Sequence, residues 1–164
     1  RLSYIRQSLA KVVNIIKNSE PKVLYNKYVK GDSKLENNMN YDLFLKSYKQ
    51  LIKKYRNKAS VFSESTPDAE YTSYSVNKGE ELVFCLRLKK EGDRIVPKNT
   101  ILFVALHELS HIMTLTLGHG KDFWDNFRFI LKVAIENNIY KSVDFNNNPV
   151  AYCGIKITDA PYYV

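Results

Sequence analysis

Residues 101–112 read Ile101-Leu102-Phe103-Val104-Ala105-Leu106-His107-Glu108-Leu109-Ser110-His111-Ile112. The first six are apolar on every side of a helix, which predicts burial on every side. His107 and His111 stand four apart and so share a helical face, where both imidazoles can reach one Zn²⁺ ion. Glu108 is rotated off that axis. It can hold a water whose pKa zinc lowers, and take its proton, without being a ligand. HExxH arises by chance in roughly one per cent or fewer of chains this long. The alternative is a buried helix with two hydrogen-bonded histidines. It must place a Glu and two His beside an apolar run, where buried polar groups need partners. A single zinc ion is such a partner.

A catalytic zinc needs three protein ligands and an open position. All three histidines of the chain lie between Ala105 and Gly120. His119 sits between Gly118 and Gly120, glycines that let the backbone turn back beneath the metal. Glu136, a helix away, is the rival third ligand. Asp122 and Asp125 are expected to hydrogen-bond a ligand imidazole. Tyr152 is a candidate donor to the tetrahedral oxyanion, with Tyr140 and Tyr162 as rivals.

Around this core, Pro97 to Thr100 opens the central helix, with Asn99 or Thr100 as its cap. The helix is expected to run to about Leu117, where Gly118 ends it. A further helix spans Lys121 to about Asn138, with Phe123, Trp124, Phe127, Ile130, Leu131 and Ala134 facing inward. Upstream, Glu70–Val76 and Glu81–Lys89 read as strands joined at Asn77-Lys78-Gly79. Leu82, Phe84, Leu86 and Leu88 give the second strand one apolar face. That strand could bind an extended substrate by strand addition, with Leu82, Phe84 and Leu86 in contact. Glu91-Gly92-Asp93 reads as another turn. Amphipathic helices are expected at Leu2–Asn18 and Tyr41–Arg56, the latter carrying Lys46, Lys49, Lys53 and Lys54 on its outer side. Lys22–Lys30 is ambiguous, and residues 31–40 read as a loop. After the Asn146–Pro149 turn, the chain is expected to be irregular or short strand.

The chain has 164 residues, 45% hydrophobic, a globular composition that fits one domain. The net charge is +8 and the pI about 9.3, which admits nucleic acid as a partner through a basic surface. Heavy use of Lys, Asn, Ile and Tyr competes with that reading, because AT-rich codons encode all four. That bias points to a large DNA virus or another AT-rich genome. Cys85 and Cys153 form no CxxC pair, which excludes a zinc ribbon or redox motif. Two free thiols in a reducing compartment are expected rather than a disulfide. The run from Ile101 to Leu117 is short for a membrane span and carries His107, Glu108 and His111, so no membrane partner is evident. No signal peptide is visible. The chain starts at Arg1, as a processed product would. An intracellular location in cytoplasm or nucleus, or in a virion, is expected.

HELSH at residues 107–111, followed by GHGKDFW at 118–124, resembles the compact zincins of the WLM, SprT-like and YgjP-like grouping. The phrase ILFVALHELSHI is also similar to WLM-type metallopeptidases of large DNA viruses. The resemblance covers mainly Leu82 to Leu131. It implies one zinc held by His107, His111 and His119, Glu108 as base, and a small antiparallel sheet above the active helix. Some relatives cleave proteins crosslinked to DNA. Here the linker from His111 to His119 is longer than in the shortest members, and no zinc ribbon is appended. The expectation is an α+β zincin-like single domain over 1–164, with a helical part at 1–58 and a catalytic core at 70–164. It would hydrolyse a protein or peptide substrate. The rivals are a non-catalytic nucleic-acid- or virion-associated module that keeps a metal site, and a zinc hydrolase of a non-peptide bond.

Overall fold

Helix α1 (Leu2–Lys17) forms because Ile5, Leu9, Val12 and Ile16 recur at helical spacing, and all four are fully buried. A computed structural model describes residues 1–65, 73–88 and 94–164. Pro21 opens the short α2 (Pro21–Leu24), which runs on into a π-helical turn at Tyr25–Val29. Asp32 caps α3 (Ser33–Glu36), a short helix inside the segment expected to be loop. The Asn40 side chain accepts from the Leu43 amide at 2.8 Å and starts α4 (Tyr41–Lys54).

Helix α5 (Lys98–Met113) lies at the centre and packs against α1, α4 and α6 (Lys121–Glu136). Ile101, Leu102, Ala105, Leu106, Leu109, Ile112 and Met113 are fully buried, as an all-apolar helix requires. Its cap is Pro97, not Asn99 or Thr100. Asn99 instead joins its side chain to the backbone of Lys141 in both directions, at 2.8 and 3.0 Å. The helix also stops at Met113, before the expected Leu117. Gln50 on α4 donates to the carbonyls of Ile112 and Thr114 at 2.9 and 2.7 Å. Those bonds satisfy last-turn acceptors that a longer helix would have used itself.

The α+β architecture is as expected, with six α-helices and small sheets among the described residues. The main sheet orders its strands β1 (Phe62–Glu64), β3 (Glu81–Phe84), β2 (Tyr74–Val76). It is mixed rather than wholly antiparallel, because β1 pairs parallel with β3 while β2 pairs antiparallel. The Asn77–Gly79 turn of the β2–β3 hairpin is present, with all three residues at positive φ. Gly79 is needed twice over: its φ is +102°, and a Cβ there would lie 2.9 Å from Ile112 Cδ1.

The expected long strand from Glu81 breaks after Phe84, resuming as β4 (Arg87–Leu88), which pairs with β5 (Arg94–Ile95). Cys85, at the break, is joined by a disulfide to Cys153, which corrects the expectation of two free thiols. Cys153 lies at the turn of a final hairpin, β6 (Val150–Tyr152) and β7 (Ile155–Ile157). The bridge therefore fastens that hairpin to the sheet. The turn expected at residues 91–93 and the first part of the strand expected from Glu70 fall outside the described residues.

The N-terminal helices are tied to α6 through Asp32. Its carboxylate accepts from Arg128 Nε at 2.9 Å and Lys132 Nζ at 2.9 Å. Burial opposes its charge, but these two cations outweigh burial and hold its pKa at about 2.

Candidate metal centre

The last two turns of α5 present His107 and His111 side by side, ring centroids 5.0 Å apart. His119 comes from the loop between α5 and α6, where Gly118 turns the backbone at φ +83°. His111 Nε2 lies 2.9 Å from His119 Nε2, and His119 Nε2 lies 3.2 Å from His107 Nε2. Nitrogens about 2.0–2.1 Å from a tetrahedral zinc lie about 3.3 Å from one another. The three side chains thus fit a metal ion, with donor atoms all within 4.8 Å of each other.

One ring sets the three imidazoles. Phe123, in the first turn of α6, stacks on His111 at 4.2 Å and meets His107 and His119 edge-on at 4.9 Å each. Burial, then the neighbouring imidazoles, pulls the pKa of His107 down to about 3. Burial and the nearby His119 and Lys78 pull His111 down to about 4. Both rings are therefore neutral near pH 7, the form that ligates metal. Glu108 is only 5% exposed, and burial raises its carboxyl to about 7.

The other candidates are placed elsewhere. Glu136 lies in the last turn of α6, paired with Lys27 at 2.7 Å and half exposed. Asp122 and Asp125 bond no histidine among the described hydrogen bonds. Asp122 accepts from Thr116 Oγ1 and from the Phe123 amide, which braces the loop carrying His119. Asp125 pairs with Lys121 at 3.1 Å. Tyr140 is buried against Phe103, and Tyr162 lies over Arg128. Tyr152 does border the site, but its hydroxyl donates to the Cys85 carbonyl at 2.8 Å and meets Ser73 Oγ at 2.5 Å. Its one proton is engaged by the sheet.

Leu82, Phe84 and Leu86 are core residues, 1%, 0% and 8% exposed. Strand β3, which holds Leu82 and Phe84, is bonded on both edges, to β1 and β2, and offers no edge for strand addition; Leu86 follows it. Strand β2 faces the site instead. Tyr74, Ser75, Asn77 and Lys78 line a cavity of about 310 Å³ that also touches all three histidines and Glu108. A second cavity, of about 280 Å³, shares His107 and Glu108 with the first and is otherwise lined by different residues. Trp124, expected to face inward, instead stands 43% exposed at this second cavity.

Residues 42–148 match the family model described as the WLM domain. The chain is a WLM-domain protein. This WLM chain is 38% identical over 114 residues to an uncharacterized protein of Acanthamoeba polyphaga mimivirus, covering 68% of this chain and 57% of that protein. It is 29% identical over 85 residues to an uncharacterized protein of Invertebrate iridescent virus 6, covering 51% and 47%. It is also 29% identical over 84 residues to one of Invertebrate iridescent virus 3, covering 51% and 52%. The chain spans about half the length of the curated relatives it matches. No solved structure matches. The viral relatives agree with the codon-bias reading of the source. Among the described residues, no helix is long and apolar enough to cross a membrane. The matched stretch of this WLM protein ends before hairpin β6–β7, so Tyr152 and Cys153 lie beyond it.

Proposed function

We propose that this WLM domain is a zinc-dependent metallopeptidase. The observation that carries the reading is the convergence of three Nε2 atoms beside a buried carboxyl, where two cavities meet. His107, His111 and His119 would hold the ion. When bound, zinc supplies Lewis acidity to the scissile carbonyl and brings the acidity of a water near neutrality.

The chain's own contribution is a proton carrier and a shaped cleft. Glu108 is dry enough for its pKa to rise to about 7, which suits a group that must take and return a proton near neutral pH. It takes one from the attacking water and passes it to the nitrogen of the departing amine. The apolar packing of Phe123 against the imidazoles keeps water away from their sides and fixes their direction.

The test is Glu108→Gln. It should keep one zinc per chain and lose peptide cleavage by at least about 100-fold. Cleavage that survives the substitution sinks the assignment of Glu108. A zinc-loaded wild-type protein that cleaves no peptide would favour the module that holds metal without turnover.

A further inference from the structure

We propose that the cavity walled by Phe103, Val104, Trp124, Phe127, Tyr152 and Ile157 is the subsite that selects the substrate. It takes a large apolar side chain, aromatic or leucine-like, from the residue beside the bond that is cut. This rests on the peptidase reading and names its substrate class.

His107 and Glu108 line both cavities. A chain laid across them places one residue next to the reacting bond in each. The 310 Å³ side is of mixed lining, with Ser75, Asn77 and Lys78 beside Tyr74 and Leu117. The 280 Å³ side is lined by rings and branched aliphatics, so it is the one that can discriminate by hydrophobic fit.

Size and chemistry come next. An apolar cavity of about 150 Å³ already accepts benzene, and this one is about 280 Å³. Phe103 and Phe127 pack with centroids 5.2 Å apart, and Trp124 stacks on Phe127 at 6.1 Å. The Tyr152 hydroxyl on the wall is already bonded to Cys85 and Ser73. A polar side chain entering would give up water for walls that are mainly rings and aliphatics, while an apolar one loses nothing. Lys156, Thr158 and Asp159, which also border the cavity, are exposed and so keep their polar groups in solvent.

The rim gives an independent sign. Trp124 is 43% and Ile155 55% exposed, on α6 and on the β6–β7 hairpin, and both line this cavity. Large apolar side chains left open around a cleft mark a surface that is covered in use. The hairpin that carries Ile155 and Ile157 is held by the Cys85–Cys153 bridge, so the pocket exists before substrate arrives.

Trp124 is the single tryptophan of the chain, so its emission reports from this pocket. The experiment uses the Glu108→Gln chain loaded with zinc, titrated with end-blocked peptides that differ at one residue: Phe, Leu, Ala or Asp. The Phe and Leu peptides should bind at least about 10-fold more tightly than Ala, as steps of a few methylenes in an apolar pocket do, and should shift the Trp124 emission. Val104→Phe, one helical turn before Glu108, should fill the pocket and bring the Phe-to-Ala ratio close to one. Ile155→Asp, at an exposed position, should lower that ratio as well. In parallel, the wild-type protein is given a peptide library and its cut sites are mapped. Equal binding of Phe and Ala, an unchanged ratio in both variants, or cut sites without enrichment of large apolar residues each overturn the subsite and leave the peptidase reading standing. Absence of any cleavage overturns the peptidase reading, while the binding ratios still decide whether the pocket selects apolar side chains.

Discussion

Lys78, at the tip of the β2–β3 hairpin, donates to the backbone carbonyl of His111 at 2.7 Å. The same ammonium reaches the Thr116 carbonyl at 2.7 Å, so one side chain spans the end of α5 and the loop that delivers His119. Burial lowers its pKa, with Lys54 nearby lowering it further and Asp122 opposing. Lys78→Met should loosen the third ligand and weaken zinc affinity by about 10-fold, the usual size for losing an outer support of a metal ligand. Competition against a chromophoric chelator measures it. Unchanged affinity would mean that Thr116 and Asp122 brace the loop without help.

His119→Ala should strip zinc from the protein at micromolar concentrations. Glu136→Ala should leave the metal in place, because Glu136 belongs to an ion pair with Lys27 far down α6. Metal analysis after gel filtration separates the two. The opposite pattern would move the third ligand to Glu136.

Asp32→Asn removes the anion between Arg128 and Lys132 and should cost about 3 kcal/mol, the penalty for stranding partly buried charge. The pH behaviour follows from its depressed pKa. At pH 3 the native carboxyl, with its pKa at about 2, stays ionised, whereas the unfolded chain, near 3.8, takes up a proton. The stabilisation is therefore complete above about pH 4 and is lost as pH falls towards 2. Urea midpoints between pH 5 and 2.5 should fall more steeply for the wild type than for the variant.

Opening the Cys85–Cys153 bridge frees a loop whose ends are 68 residues apart. The chain-entropy estimate for such a loop is roughly 4 kcal/mol. The denaturation midpoint should drop on treatment with a dithiol reductant, and a Cys85→Ser, Cys153→Ser double variant should match the reduced protein. Equal midpoints before and after reduction would contradict the bridge.

Lys46, Lys49 and Lys53 recur at three- and four-residue spacing on α4, and with Lys54 they are exposed. If nucleic acid is a partner, this face is its docking surface. DNA affinity should then fall steeply with salt, and changing all four to Glu should abolish binding at physiological ionic strength while zinc content stays the same. Wild-type protein that binds no DNA at that ionic strength makes the stripe a solvated face.

The sequence made α1, α4 and α6 legible to within two residues, because each buries one periodic stripe. The grouping of His107, His111 and His119 was legible because their residue type and spacing suit one metal. What escaped were contacts between distant segments. Nothing in Gln50 announces that it closes α5, and Thr114–Leu117 is apolar enough to look like more helix. The alternation over Leu82–Leu88 looked one-sided, but β3 is a central strand, so Val83 is buried along with Leu82 and Phe84, and Cys85 just after it is buried at the disulfide. Spacing alone also could not pair Cys85 with Cys153, since a pairing depends on which strands the fold brings together.

The bond between Cys85 and Cys153 closes the chain on itself as a covalent ring. The three histidines, Glu108 and the pocket walls Phe103, Val104, Trp124, Phe127 and Tyr152 belong to that ring, while Ile155 and Ile157 lie just beyond it. A single peptide-bond cut between residues 86 and 152, whether made by another protease or by a second copy of this one, leaves both pieces attached. Such a nicked molecule would migrate as intact protein on a non-reducing gel and would separate into two fragments only after reduction. Self-cleavage of this protein must therefore be looked for with reductant present.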